Sequence, residues 1–69
     1  MEIGKKLKEA RLNRDLTQEV IAEKLNVSRQ TISNWENEKS YPDIISVIEL
    51  SNLYSISLDD LLKGDERMM

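Results

Sequence analysis

The sequence predicts an all-α domain built as a bundle of five helices, and two observations carry that prediction. The 69 residues include one proline and two glycines, too few to punctuate the many tight turns of a β-rich fold. Nowhere do β-branched residues alternate with polar ones over the length of a strand, whereas apolar residues recur at three- and four-residue spacing along most of the chain.

The first helix is expected from Glu2 to about Arg14, with Ile3, Leu7 and Ala10 on one face and Lys5, Lys6, Lys8, Glu9 and Arg11 between them. Thr17 suits the N-cap of a second, short helix to about Leu25, in which Ile21, Ala22 and Leu25 share a face. Asn26, tolerant of a left-handed backbone, ends it. Ser28, two residues on, can cap a third helix through about Glu36, so two helices meet across a three-residue turn. Pro42 and Asp43 signal the start of a fourth helix through about Tyr54, whose inward face is assigned to Ile44, Val47, Ile48, Leu50 and Leu53. Ser57, followed three residues later by Asp60, resembles a capping box for a short fifth helix carrying Leu58, Leu61 and Leu62 and ending at Gly64. Asp65 to Met69 are expected to fray.

Composition narrows the function. A domain of this size buries only about 60% of the surface its unfolded chain exposes. Without cysteine or histidine, neither a disulfide nor a zinc site of the usual kind can staple it, so its core must be aliphatic packing. The same absences, with no glycine-rich phosphate loop and little room for a pocket, argue against an enzyme, a cofactor, a metal or a small-molecule ligand. Asp59 and Asp60 sit at a helix start, where carboxylates favour the dipole and need no catalytic explanation. No apolar run reaches the ~20 residues of a membrane span, and no signal-peptide block opens the chain. A soluble cytoplasmic protein is the expectation.

Net charge is −3, at odds with a simple basic nucleic-acid binder. The distribution is uneven: residues 1–39 carry eight basic and seven acidic side chains, residues 40–69 two and six. A DNA surface must then lie in the first forty or so residues and depend on placed contacts rather than bulk charge.

The segment from Gln18 to Asn37, QEVIAEKLNVSRQTISNWEN, is the informative one. Its apolar residues Ile21, Ala22, Leu25, Val27, Ile32 and Trp35 fall where two steeply crossing helices must touch, and the small Ala22 suits their closest approach. Trp35 could serve as a stacking platform for bases, but its place beside Ile32 assigns it to the core. With those residues buried, Arg29, Gln30, Ser33 and Asn34 must project outward. Their side chains are the types that read base edges in the major groove, whereas a merely solvated face more often carries glutamate and lysine. Arg11, one turn after Leu7, is expected to reach the end of the third helix and pair bidentately with Glu36.

On LTQEVIAEKLNVSRQTISNWE, the Pro42-containing loop and the two closing helices, the chain resembles the Cro and phage-repressor type of helix-turn-helix DNA-binding domain, the XRE family. The resemblance covers residues 7–61 and leaves 62–69 as a short C-terminal tail. It implies a five-helix lambda-repressor-like bundle with the helix-turn-helix at helices two and three, and a third helix that enters the major groove of double-stranded DNA. It further implies that Arg29, Gln30, Ser33 and Asn34 occupy base-reading positions, and that Gln18, Thr31, Asn37, Lys39 and Tyr41 hold phosphates. The chain departs from the family where glycine is common, at Asn26 and at Glu38, and Glu38 brings a negative charge close to the expected phosphate track.

The function expected is that of a transcriptional regulator, in the first instance a repressor, acting as a homodimer on an inverted-repeat operator. Leu58, Leu61 and Leu62, together more than one short helix easily buries, are the candidate dimer contacts, with packing in the domain's own core as the alternative. The alternative is an antitoxin-like protein-interaction module in which DNA binding is secondary, as the acidic C-terminal region would suit.

Overall fold

The computed structural model describes residues 3–63. They form five helices: α1 (Ile3–Asn13), α2 (Gln18–Leu25), α3 (Arg29–Glu36), α4 (Ile44–Tyr54) and α5 (Leu58–Lys63). The expected stop at Gly64 and the tail beyond it lie outside the described residues.

Three of the expected start signals are made as hydrogen bonds. The Thr17 hydroxyl accepts from Val20 N at 3.1 Å, that of Ser28 from Thr31 N at 3.1 Å, and that of Ser57 from Asp60 N at 3.0 Å. Asp43 precedes α4 with an extended backbone but completes no side-chain cap bond. Its carboxyl is nevertheless held below the usual carboxylate range, chiefly by the Ser46 hydroxyl and also by nearby backbone amides.

The first four helices end alike. A residue in the left-handed region follows each: Asp15 (φ 57°), Asn26 (φ 60°), Glu38 (φ 64°) and Ser55 (φ 55°). The amide of the next residue then reaches back over the last turn, Leu16 N to Arg11 O at 3.2 Å, Val27 N to Ala22 O at 2.9 Å, Lys39 N to Asn34 O at 2.9 Å and Ile56 N to Ser51 O at 3.1 Å. These are Schellman closures, which satisfy carbonyls that the helix itself leaves free. None uses glycine; Asp15 and Asn26 are residue types that visit this region, whereas Glu38 and Ser55 carry a backbone cost of about 1–2 kcal/mol each. At three of the four, the residue after the left-handed position is apolar and packs on the core: Leu16, Val27 and Ile56.

The core is one aliphatic cluster with two aromatic rings, comprising Ile3, Leu7, Ala10, Ile21, Ala22, Ile32, Trp35, Val47, Leu50, Tyr54 and Leu61. The most extensive helix contacts are α2 with α3 and α1 with α3, so the third helix is braced from two sides. Ala22 is buried, as expected of a small residue where α2 meets α3, and Trp35 lies inside. Burial raises the Tyr54 phenol well above its ordinary value, and the nearby Glu36 carboxylate adds to the effect.

Two expectations are corrected. Ile44 and Ile48, assigned to the inward face of α4, are 61% and 40% exposed; the face that packs is Val47, Leu50, Ser51 and Tyr54. The IISVIEL run is apolar over most of its circumference, broken only by Ser46 and Glu49, so periodicity fixed its orientation poorly, and Ser51 took an inward place. Leu61, offered as a dimer contact, is fully buried within the monomer, and Leu58 and Leu62 are half-buried against the same core. Leu61 is therefore occupied by intramolecular packing.

Candidate nucleic-acid interface

Burial of Ile32, Trp35 and Glu36 fixes the rotation of α3. It turns Arg29 and Gln30 into solvent and leaves Ser33 and Asn34 half-buried at the edge of the outward face. Along this face run two hydrogen-bonded pairs at i, i+4 spacing: Gln30 Nε2 donates to Asn34 Oδ1 at 3.0 Å, and Asn37 Nδ2 donates to Ser33 Oγ at 3.2 Å. Each pair restrains two side chains and leaves further donors and acceptors pointing outward, among them the Gln30 carbonyl and the Asn34 amide. Restraint before binding lowers the entropy that a contact must overcome.

Behind this face lies a polar chain through the middle of the domain. Arg11 Nε donates to Glu36 Oε2 at 2.8 Å and Arg11 Nη2 to Glu36 Oε1 at 3.1 Å, the bidentate pair expected from the sequence. Arg11 Nη1 completes the fork on Leu16 O at 2.9 Å. Hydrogen bonding to Glu36 raises the Arg11 pKa, against the opposing effect of burial. Gln18 joins the chain from α2: its Nε2 donates to Glu36 Oε1 at 2.9 Å, and its Oε1 accepts from Arg29 Nη1 at 3.2 Å. One carboxylate thus ties α1, α2 and α3 together and, through Gln18, restrains the arginine that opens α3.

Arg29, Gln18, Thr17, Glu19 and Arg11 line an open cleft of about 440 Å³ at the start of α2. The first amides of a helix lack internal partners and face an anion with the positive end of the dipole. Arg29 adds a full charge, whereas that of Arg11 is matched by Glu36 and Glu19 on the rim is negative. Phosphate is the ligand such a concavity suits.

Across the face, the α3–α4 loop carries exposed Asn37, Lys39 and Tyr41. Thr31 is half-buried, and its hydroxyl is hydrogen-bonded to that of Ser28 at 2.9 Å. Glu38 differs from its sequence reading. Its carboxylate Oε2 accepts from Gly4 N at 2.6 Å, so the negative charge is held at the start of α1 and neutralised in part by the helix dipole. Sequence reasoning also missed Gly4. A Cβ there would lie 2.6 Å from Trp35 O and 2.7 Å from both Glu36 O and Glu38 Oε2, which shows how closely α1 approaches the end of α3.

Among the described residues no group of histidine, cysteine, aspartate and glutamate is arranged to hold a metal, and no helix is long and apolar enough to cross a membrane.

This geometry has known counterparts. The chain superposes on the P22 c2 repressor, whose crystal structure was solved in complex with a synthetic operator, with a TM-score of 0.85 and 29% identity over 94% of this chain and 98% of that one. It is 46% identical over 66 residues to the HTH-type transcriptional activator BcrR of Enterococcus faecalis, covering 96% of this chain and 32% of that protein. It is 47% identical over 66 residues to the HTH-type transcriptional regulator ImmR of Bacillus subtilis, covering 96% of this chain and 52% of that protein. The chain therefore spans about a third to a half of the length of these curated relatives. A helix-turn-helix family model matches residues 7–61. The cap at Thr17, the left-handed Asn26 and the polar outward face of α3 thus belong to a member of the helix-turn-helix family, of the Cro and phage-repressor type.

Proposed function

We propose that this domain binds double-stranded DNA in a sequence-specific manner as the DNA-reading part of a transcriptional regulator, with α3 in the major groove. The observation that carries the reading is the outward face of α3, where Arg29, Gln30, Ser33, Asn34 and Asn37 stand together beside an anion cleft at the start of α2. The likeness to an operator-bound repressor supports it. Arg29, Gln30, Ser33 and Asn34 read base edges. The start of α2 at Gln18 and the loop residues Asn37, Lys39 and Tyr41 hold the two flanking phosphate tracks, with Thr31 beside them. Occupying an operator blocks other proteins from it, so repression is the direct consequence. The resemblance to a protein named an activator agrees with a domain that supplies the address, with the direction of regulation set by where the operator lies. Such a regulator works in the cytoplasm, with the DNA it reads.

One short helix reads few bases, so a two-fold dimer on an inverted repeat completes the proposal. With Leu61 inside the monomer, the dimer face moves to Ile44, Ile45 and Ile48, which are 61%, 60% and 40% exposed. A second copy is the occupant that suits this patch. The three residues are apolar, which suits the centre of a self-complementary two-fold contact. They also continue directly from the loop assigned to the phosphates, where a copy on the adjacent half-site would meet it. The antitoxin-like reading would give the same patch to a different protein, and nothing in the patch selects one.

Two substitutions separate base reading from backbone holding. Gln30→Ala is expected to lose about 1–3 kcal/mol on a preferred site and almost nothing on random duplex. Lys39→Ala is expected to weaken all sequences alike and to lower the slope of log K against log salt by about one unit. Binding isotherms on both kinds of duplex at several salt concentrations make the comparison. If Gln30→Ala weakened cognate and random DNA equally, α3 would not be reading bases.

A further inference from the structure

We propose that Glu38 is a positioning residue for the DNA-backbone loop: its carboxylate clamps the end of α3 to the start of α1 and so presents Lys39 to phosphate. The inference rests on the DNA reading above for its consequence, but its physical basis is independent of it.

The four Schellman closures are alike in backbone but differ in what anchors them. After α1, α2 and α4 the residue following the left-handed position is Leu16, Val27 or Ile56, each packed on the core, the usual hydrophobic accompaniment of this closure. After α3 that residue is Lys39, which is exposed. A side chain reaching for phosphate cannot also be the anchor. The left-handed residue itself takes over: Glu38 Oε2 accepts from Gly4 N at 2.6 Å, across 34 residues of sequence. The Gly4 amide is among those that open α1 without an intrahelical partner, and the carboxylate supplies both the acceptor and the charge that a helix N-terminus favours. Gly4 has no side chain, and a Cβ there would fall 2.6 Å from Trp35 O and 2.7 Å from Glu36 O, so the backbone approach that brings its amide within reach of Glu38 needs glycine. The same carboxylate raises the pKa of the exposed Tyr41 phenol, by hydrogen bonding and by its charge. Lys39 is tied to this carboxylate through the backbone that it shares with Glu38.

The consequence runs against simple electrostatics. Replacing Glu38 with glycine removes a negative charge near DNA, relieves a left-handed non-glycine residue, and restores the residue common in the family. On those grounds DNA binding should tighten. If Glu38 is the clamp, binding weakens, because the loop must be ordered at the moment of contact.

The experiment compares Glu38→Gly and Glu38→Gln with the parent chain, using Ser55→Gly as a control that relieves a left-handed residue far from the loop. The first measurement needs no DNA. In the free proteins, amide exchange at Gly4 and Lys39 is expected to accelerate in Glu38→Gly, to stay near the parent rate in Glu38→Gln, whose amide oxygen can still accept, and to be unchanged in Ser55→Gly. Unaltered exchange at Gly4 and Lys39 in Glu38→Gly overturns the clamp. The second measurement is affinity for random duplex at a temperature where all four chains are folded. Glu38→Gly is expected to bind roughly 3- to 10-fold more weakly, as the ordering of one or two side chains is transferred to the binding step, with a shallower salt dependence as the Lys39 contact is diluted. Glu38→Gln is expected to recover most of the loss. Equal or tighter binding by Glu38→Gly overturns the positioning role. If the parent chain bound no DNA at all, the functional reading would fail, while the exchange measurement would still decide the clamp.

Discussion

Replacing Glu36 with alanine is expected to destabilise the domain by about 3–5 kcal/mol, the usual penalty for leaving one member of a buried ion pair without its partner. Glu36 is 6% exposed and Arg11 8%, and the carboxylate accepts three hydrogen bonds, two from Arg11 and one from Gln18. Without it, a guanidinium remains inside the domain with one carbonyl for company, and Gln18 loses its hold on the start of α2. A chain of this size has total stability of about 3–10 kcal/mol, so this one substitution removes a large fraction of it. Urea unfolding measures the loss. The paired replacement Arg11→Met with Glu36→Leu is expected to recover most of it, because no charge is then stranded. A cost below about 1 kcal/mol for Glu36→Ala, typical of exposed pairs, would contradict this account of how the three helices are joined.

Gly4→Ala should also destabilise, by about 1–3 kcal/mol, although alanine in a helix normally gains close to 1 kcal/mol over glycine. The reason is tertiary. The added methyl would meet Trp35 O at 2.6 Å and Glu36 O at 2.7 Å, and neither backbone oxygen can rotate away as a side chain could. α1 would have to lift from the end of α3, loosening the Gly4 N to Glu38 bond as it goes. Chemical denaturation of the two proteins decides the sign, and a variant as stable as the parent would show that the approach has slack.

The outward face of α3 was legible in the sequence because Ile32 and Trp35, one turn apart, can only point one way once buried. The Arg11–Glu36 pair was legible for a similar reason: a charged residue on the same helical face as Leu7 needs a partner, and Glu36 closes the helix opposite. The α4 face was not legible. Ile44, Ile45, Val47, Ile48 and Leu50 make the helix apolar over most of its circumference, and choosing among them requires knowing where the bundle ends. Leu61 went to the core rather than to a dimer contact, because so small a core has room for an apolar side chain that counting had assigned to the surplus. The direction of Glu38 was out of reach altogether, since it depends on a left-handed backbone and on a glycine 34 residues away. Sequence reading registered its charge and placed it near DNA, where the structure turns it towards α1.

Selection from a pool of random duplex DNA tests the central claim most directly, because it asks the domain to choose without supplying an answer. The account predicts enrichment of an inverted repeat whose half-sites are centred about 10 base pairs apart, the spacing of two recognition helices one turn of DNA from each other. It predicts further that Gln30→Ala relaxes the preference at one position in each half-site. Absence of any enrichment at low salt would contradict it. So would a recovered sequence that Gln30→Ala reads as well as the parent.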